Sequence, residues 1–224
     1  MSIFLTGTDT GVGKTFTAVC LLRLLRAAGM RAVGMKPICC GDRADAEQLL
    51  AASSEGLTID ELNPVWLKTP AAPFAASQTE GVEIVIEPLA ERLAELQRRF
   101  DFVVVEGVGG WLVPLRRDVF VSDLARAMQL PVAVVAMNRL GCLNHTMLTL
   151  QSIAANGSKC SAVVLNTPAG VPDFASATNH EILSQLARVP IVSGLSNETA
   201  DLPAQWRQIL AIDDQGRVCQ TSAS

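Results

Sequence analysis

The stretch Gly7-Thr8-Asp9-Thr10-Gly11-Val12-Gly13-Lys14-Thr15 fits G-x-x-x-x-G-K-[ST], and its chemistry is the binding of phosphate. Glycines at this spacing let consecutive backbone N–H groups turn inward around an anion. Lys14 can reach β- and γ-phosphates, and the Thr15 hydroxyl can ligate Mg²⁺. A second constellation is Phe102-Val103-Val104-Val105-Glu106, an apolar run that ends in a carboxylate. At the carboxyl end of a parallel strand Glu106 would lie beside the phosphate loop and bind Mg²⁺ directly or through water. The plainer alternative is a strand-terminal glutamate facing solvent before a tight turn. Gly107, Gly109 and Gly110 then allow close approach of a ligand to the backbone, with Trp111 as a wall beside it.

Lys36 follows the next apolar run, and Pro37 biases it to an extended conformation at the end of a strand. That directs a cation either toward the γ-phosphate crevice or simply to the surface. Asp45 opens a helix. It serves either as an N-terminal charge on the helix dipole or as a second carboxylate completing a Thr15/Asp45/Glu106 oxygen site suited to Mg²⁺. The turn Leu140-Gly141-Cys142-Leu143-Asn144-His145 leads into another helix, whose exposed N–H groups offer a second anion site. Asn144 is equally readable there as an N-cap, and His145 as a surface or interface residue.

These residues require a scaffold of alternating strands and helices. Ile3–Leu5 reads as a buried strand and the segment from Thr15 to Ala28 as a helix, which together with the loop point a helix N-terminus at phosphate. Strands follow at Arg31–Met35, Phe102–Val105, Pro131–Met137, Ala162–Leu165 and Pro190–Val192. Helices are expected at Asp45–Ala52, Pro88–Phe100, Val121–Met128, Asn144–Ala155, around Phe174–Ala187 and at Leu202–Ala211. The pattern predicts an α/β fold: a doubly wound, mainly parallel sheet with helices on both faces, of the P-loop NTPase type. Residues 1–224 are expected to form one domain with a frayed polar tail after Asp213. One segment resists the pattern. From Asn63 to Gly81 there are three prolines (Pro64, Pro70, Pro73) and little periodicity, so an ordered lid or substrate wall is expected, with disorder as the alternative.

Composition narrows the partners. The 224 residues are 49% hydrophobic, as parallel strands buried on both sides require. Net charge is −4 and no Lys/Arg cluster is dense enough for a nucleic-acid surface. Apolar runs are too short to span a bilayer, and the start does not read as a signal peptide. The six cysteines (Cys20, Cys39, Cys40, Cys142, Cys160, Cys219) show no C-x-x-C pair or metal-ligand spacing. A cytoplasmic protein with reduced thiols, no nucleic acid and no membrane is expected.

Taken together, these motifs resemble those of the ATP-dependent dethiobiotin synthetases. The match runs from about Ile3 to Gly194 and rests on Thr6–Thr10 with Val12–Thr15, Lys36-Pro37, Val105-Glu106-Gly107 with Gly109-Gly110-Trp111, Leu140-Gly141-Cys142, Asn144-His145 and Asn166. The segment Asn63-Pro64 through Pro70, Pro73 and Glu80-Gly81 belongs to it too. The resemblance implies ring closure of 7,8-diaminononanoate with CO₂ and MgATP to dethiobiotin, ADP and phosphate, through a carbamate and a carbamic–phosphoric anhydride. It implies nucleotide contacts at Gly11, Val12, Gly13, Lys14, Thr15 and Phe16, and at Glu106, Gly107, Val108 and Gly109, with Asp45 on the metal and Asn166 and Thr167 near adenine. Lys14, Lys36 and Thr10 are implied in catalysis. Thr10, Lys36 and Cys40 are implied at the substrate, and Cys142 and Asn144 reach it from the second subunit of a homodimer.

The chain departs from the family pattern in three places. Cys40 stands where the family usually has Ser, and a thiol is a weaker donor than a hydroxyl. The loop between Gly41 and Asp45 is short, and Gly194–Glu198 lacks the proline often found near adenine. Two rival readings belong to other classes. A partitioning or switch ATPase commonly carries a second lysine near the loop's start, where this chain has Thr8. A silent nucleotide-sensing homologue would not need Lys14, Lys36 and Glu106 intact.

Overall fold

The computed structural model describes residues 1–167 and 173–213. In chain order its elements are β1 (Ser2–Gly7), α1 (Lys14–Ala27), β2 (Ala32–Met35), β3 (Ile38–Cys40), α2 (Ala44–Ala52), α3 (Ile59–Leu62), β4 (Val65–Leu67), α4 (Pro73–Glu80), α5 (Glu87–Arg99) and β5 (Phe102–Gly110). There follow β6 (Pro114–Arg116), β7 (Val119–Phe120), α6 (Val121–Met128), β8 (Val132–Met137), α7 (Cys142–Ala155), β9 (Cys160–Asn166), α8 (Phe174–Leu186), β10 (Ile191–Ser193) and α9 (Ala204–Leu210).

Alternation along the strands decides which apolar layer each residue joins. Ile3, Leu5, Phe102, Val104, Ala133 and Val135 pack on one face with α1, α2 and α9. Phe4, Val103, Val105, Val132 and Val134 pack on the other with α5, α6, α7 and α8. Because both faces are covered, these strands read as continuous apolar runs rather than as alternating ones. The helices supply matching stripes. In α5, Leu89, Leu93 and Leu96 recur at helical spacing and are buried, while Arg98 and Arg99 complement the dipole in its last turn.

The main sheet has six strands in the order β10-β9-β8-β1-β5-β2, all paired in parallel. β1 lies between β5 and β8: on one side β8, β9 and β10 follow outward in turn, and on the other the chain goes first to the edge strand β2 before β5 returns beside β1. In such sheets the crevice for ligands opens beyond the carboxyl ends of the strands at this switch point. β1 ends at Gly7, which starts the glycine loop, and β5 passes Glu106 on its way to Gly110.

The segment from Asn63 to Gly81 is ordered, as expected, but it is more regular than its sequence suggests. It contains β4, which pairs in parallel with β3, and the helix α4. Pro73 opens α4, where its missing N–H costs nothing because the first turn has no intrahelical acceptor for it. Asn144 is not an N-cap. α7 begins at Cys142, and Gly141, at φ 89°, makes the left-handed turn into it. The expected tail after Asp213, with Cys219, lies outside the described residues.

Candidate active site

The glycine loop wraps its own lysine. Gly11 (φ 73°) and Gly13 (φ 94°) take left-handed conformations that L side chains rarely adopt. Gly13 is further constrained, since a Cβ there would meet Asn166 Nδ2 at 1.9 Å. That amide donates to Val12 O at 3.0 Å, so β9 buttresses the loop through Asn166. Lys14 Nζ donates to Asp9 O at 3.1 Å. Burial pushes the Lys14 ammonium down to about 8; Lys36 acts in the same direction, and Glu106, Asp45 and Asp9 oppose it.

Next to the loop, four side chains converge from four elements. Thr15, in the first turn of α1, has its Oγ1 2.9 Å from Asp45 Oδ1 and 2.8 Å from Glu106 Oε1, and its single proton can be donated to one of them at a time. Lys36 Nζ, just past β2, donates to the same Glu106 Oε1 at 2.6 Å and to Asp45 Oδ2 at 2.9 Å, and reaches Gly107 O at 3.4 Å. Burial alone would lower Lys36. The charges and hydrogen bonds of Glu106 and then Asp45 outweigh it and hold the ammonium well above the ordinary lysine value. For Asp45 burial pulls the carboxyl upward, but Lys36, Thr15 and Lys14 bring it below its usual range.

Glu106 does not face open solvent; it is 1% exposed. Its second oxygen, Oε2, is buried without a hydrogen-bond partner. A buried carboxylate oxygen left without a donor is costly. Here it belongs to a set of two carboxylates and a hydroxyl, hard oxygen donors of the kind Mg²⁺ takes. Among the described residues no group of three or more His, Cys, Asp and Glu side chains could hold a metal ion. Two carboxylates and a hydroxyl suit a cation that keeps waters and phosphate oxygens as its remaining ligands.

A cavity of about 660 Å³ opens over these groups. Thr10, Gly11, Gly13, Lys14, Thr15, Lys36, Cys40, Asp45, Glu106, Val108 and Gly109 all line it, so most of the site residues read from the sequence do come together. One wall is Pro70–Pro73, the connection into α4, in keeping with the expected substrate wall. Sequence reasoning missed Cys39, Asp42 and Val113 on the lining; the only signal for this neighbourhood was proximity to Cys40 and Asp45. Burial, then Glu80, raises the Cys40 thiol to about 11, with Lys36 opposing, so it is a neutral S–H in the cavity wall.

Other expected residues stand elsewhere. Trp111 is no wall: its ring is 3% exposed and packs in the core on the α5/α6 face. Val12 is buried beneath the loop, and Phe16 is 38% exposed outside the cavity. Gly107 contributes its carbonyl to Lys36 rather than a surface to the cavity. Thr167 accepts a hydrogen bond from Asn138 Nδ2 at 3.1 Å. Cys142 and Asn144 do not line the cavity of their own chain. The Cys142 thiol is buried 3.7 Å from Thr146 Oγ1, its N–H donates to Arg139 O, and Asn144 and His145 are exposed.

With this geometry in place, the chain can be compared with known proteins. A family described as an AAA domain matches residues 1–200. The ATP-dependent dethiobiotin synthetase BioD of Akkermansia muciniphila is 39% identical over 194 residues, covering 87% of this chain and 91% of that protein. The protein of the same name from Xanthomonas euvesicatoria is 45% identical over 173 residues, 74% of this chain and 77% of its own length. Among solved structures, the septum site-determining protein MinD complexed with Mg-ADP from Pyrococcus horikoshii superposes with a TM-score of 0.53 at 15% identity, over 85% of this chain and 79% of that one. That last likeness concerns the fold.

Proposed function

The chain belongs to the ATP-dependent dethiobiotin synthetases, and on that premise we propose how its own residues carry the reaction. It is an ATP-dependent cyclo-ligase of biotin biosynthesis, and its substrates include ATP and diaminononanoate. CO₂, Mg²⁺, the carbamate route, the homodimer, the roles of individual residues and a cytoplasmic location are parts of the proposal. Among the described residues no helix is long and apolar enough to cross a membrane.

One amine of 7,8-diaminononanoate adds to CO₂ and loses a proton, giving a carbamate. A carbamate oxygen attacks the γ-phosphorus and the bond to ADP breaks. The second amine attacks the carbamoyl carbon, closes the cyclic urea and expels phosphate. The difficulty is that two anions must meet. Catalysis of phosphoryl transfer is mostly positioning and charge stabilisation, and the cavity supplies both. Lys14 neutralises the β- and γ-phosphates, Lys36 stabilises the charge where carbamate and γ-phosphate join, and Thr10 hydrogen-bonds the carbamate. Thr15, Asp45 and Glu106 would hold Mg²⁺, which would neutralise phosphate charge and orient the leaving group. The backbone N–H groups of Gly11, Val12, Gly13 and Phe16 hold nucleotide, Val108 and Gly109 border it, Gly107 acts from behind through its carbonyl on Lys36, and Asn166 with Thr167 meets adenine.

The observation that supports this reading best is the placement of Lys36. Its ammonium is fixed by Glu106 and Asp45 in the same cavity as Lys14 and Thr15. The substrate carboxylate lies far from its amines, and we assign it to the turn Leu140–His145 of a second subunit, with Asn144 as the exposed donor there. Incubating the protein with ATP, Mg²⁺, bicarbonate and diaminononanoate and following dethiobiotin by mass spectrometry tests the whole. Stoichiometric dethiobiotin and ADP are expected; ADP without dethiobiotin would contradict it.

A further inference from the structure

Asn63 belongs to the stretch that resembles the family, yet the proposed reaction leaves it without a role. It is 1% exposed, and every one of its polar groups is engaged. Its backbone N–H donates to Ile59 O at 2.8 Å. Nδ2 donates to Lys36 O at 2.8 Å and to Val65 O at 3.0 Å. Its Oδ1 accepts from Arg43 Nε and its backbone O from Arg43 Nη2, each at 2.9 Å.

These bonds link two groups of the cavity from behind. β2 ends at Met35, so the sheet's ladder does not hold Lys36. Its backbone is fixed instead by the Leu62–Asn63 pair: Lys36 N donates to Leu62 O at 2.9 Å and Asn63 takes the carbonyl. On the other side, Arg43 is the residue from which α2 starts, and its carbonyl accepts from Glu47 N at 2.9 Å. Asp45 sits in that first turn. The Arg43 guanidinium also stacks over the Trp66 ring at 4.7 Å and pairs with Asp60 at 2.9 Å. A planar fork with several donors suits such a brace, which a lysine could not reproduce.

We infer that Asn63 and Arg43 are positioning residues for phosphoryl transfer, tying the backbone of Lys36 to the start of α2 so that ammonium and Asp45 carboxylate keep their spacing. The inference rests on the roles proposed above for Lys36 and Asp45. Its physical basis is that a displacement of about 1 Å in a group aimed at the reacting atoms can cost about 10² in rate. A saturated buried amide could equally serve stability alone, and the two roles separate experimentally.

The test compares Asn63→Asp, which keeps the acceptors for Arg43 but loses both side-chain donors, with Arg43→Met, which keeps the aliphatic stem. Each is made in the wild type and in a Lys36→Gln background. Turnover is measured in single-turnover mode, ATP binding by titration and folding by thermal melts. Arg43→Met carries the test if Asn63→Asp does not fold, because the Arg43 side chain is 14% exposed against 1% for Asn63 and methionine keeps its aliphatic stem packed. Each substitution should lower ring-closure turnover about tenfold with ATP affinity changed less than about twofold, and should lose most of its effect in the Lys36→Gln background, as residues acting through one network are non-additive. The same fold-loss in both backgrounds, or full turnover in both variants, overturns the brace. Wild-type turnover in Lys36→Gln alone overturns the role of Lys36 instead, so the two failures are told apart.

Discussion

Lys36 Nζ and Glu106 Oε1 lie 2.6 Å apart with their side chains 3% and 0% exposed, an ion pair closed off from solvent at the floor of the phosphate cavity. Such a pair gives little net stability over an apolar replacement, but removing one member leaves a buried charge without its partner. The pair is therefore better explained by what it does than by what it stabilises.

Lys36→Ala should lower ring-closure turnover by about 10²–10³, the usual cost of removing one preorganised group that stabilises charge in a transition state. ATP affinity should change far less, because Lys14 and the loop amides remain. The unpaired Glu106 should also lower stability, by about 3–5 kcal/mol if the site does not relax. Steady-state kinetics, nucleotide titration and urea melts measure the three. Near-normal turnover would return Lys36 to a structural lysine.

A pH dependence follows from α3, the short helix that presents Leu62 and Asn63 to Lys36. Glu61 closes a capping box with Thr58, and Arg99 pairs with it at 2.5 Å. The Thr58 backbone N–H, then Arg99 and the Thr58 hydroxyl, bring its carboxyl from 4.5 to about 2. A carboxyl lowered in the folded state adds stability above its unfolded value and loses it as pH falls through the folded value. Glu61→Gln should thus be less stable than wild type at neutral pH, with the gap narrowing from about pH 4.5 and gone by about pH 2. Parallel urea melts across that range check it; a gap independent of pH would mean that the charge plays no part.

The phosphate loop and Glu106 were legible in the sequence from local rules, whereas Lys36 and Asp45 stayed open between a site role and a surface or dipole role until the family resemblance placed them. A glycine pattern needs a strand before it and a helix after it, and a strand's carboxyl end faces the crevice. That β1, β5 and β8 are buried on both faces was legible from their continuous apolar runs, but which layer each residue joins was not, because such runs carry no alternation. The β3–β4 pair was not, since strands of three residues carry no period. Pro73 was one of three prolines that made the segment read as irregular although it opens a helix, and the N-cap alternative for Asn144 stayed open because nothing local revealed that Gly141 makes the turn. Trp111 was misplaced because adjacency to Gly110 says nothing about which side of a turn a ring takes. The Arg43–Asn63 bonds join residues 20 positions apart and left no pattern to find.

The proposed sharing of a pocket between two subunits makes its own prediction. Asn144 is exposed on the first turn of α7 beside Leu140, which is 83% exposed. Asn144→Ala should raise KM for diaminononanoate and leave KM for ATP nearly unchanged. Mixing it with Lys36→Ala subunits should restore part of the activity, because one site of a mixed dimer then receives both intact residues. With subunit exchange verified, no complementation would place both residues in one subunit's site.

Substrate control of ATP cleavage is the most direct test of the account. In the proposed mechanism the cavity positions phosphates and a charge-stabilising lysine and the nucleophile is the substrate carbamate, whereas a switch ATPase would activate water. Phosphate release from MgATP should be slow alone and rise strongly only when diaminononanoate and bicarbonate are both present, in a one-to-one ratio with dethiobiotin. Rapid release that ignores those two substrates would contradict the account.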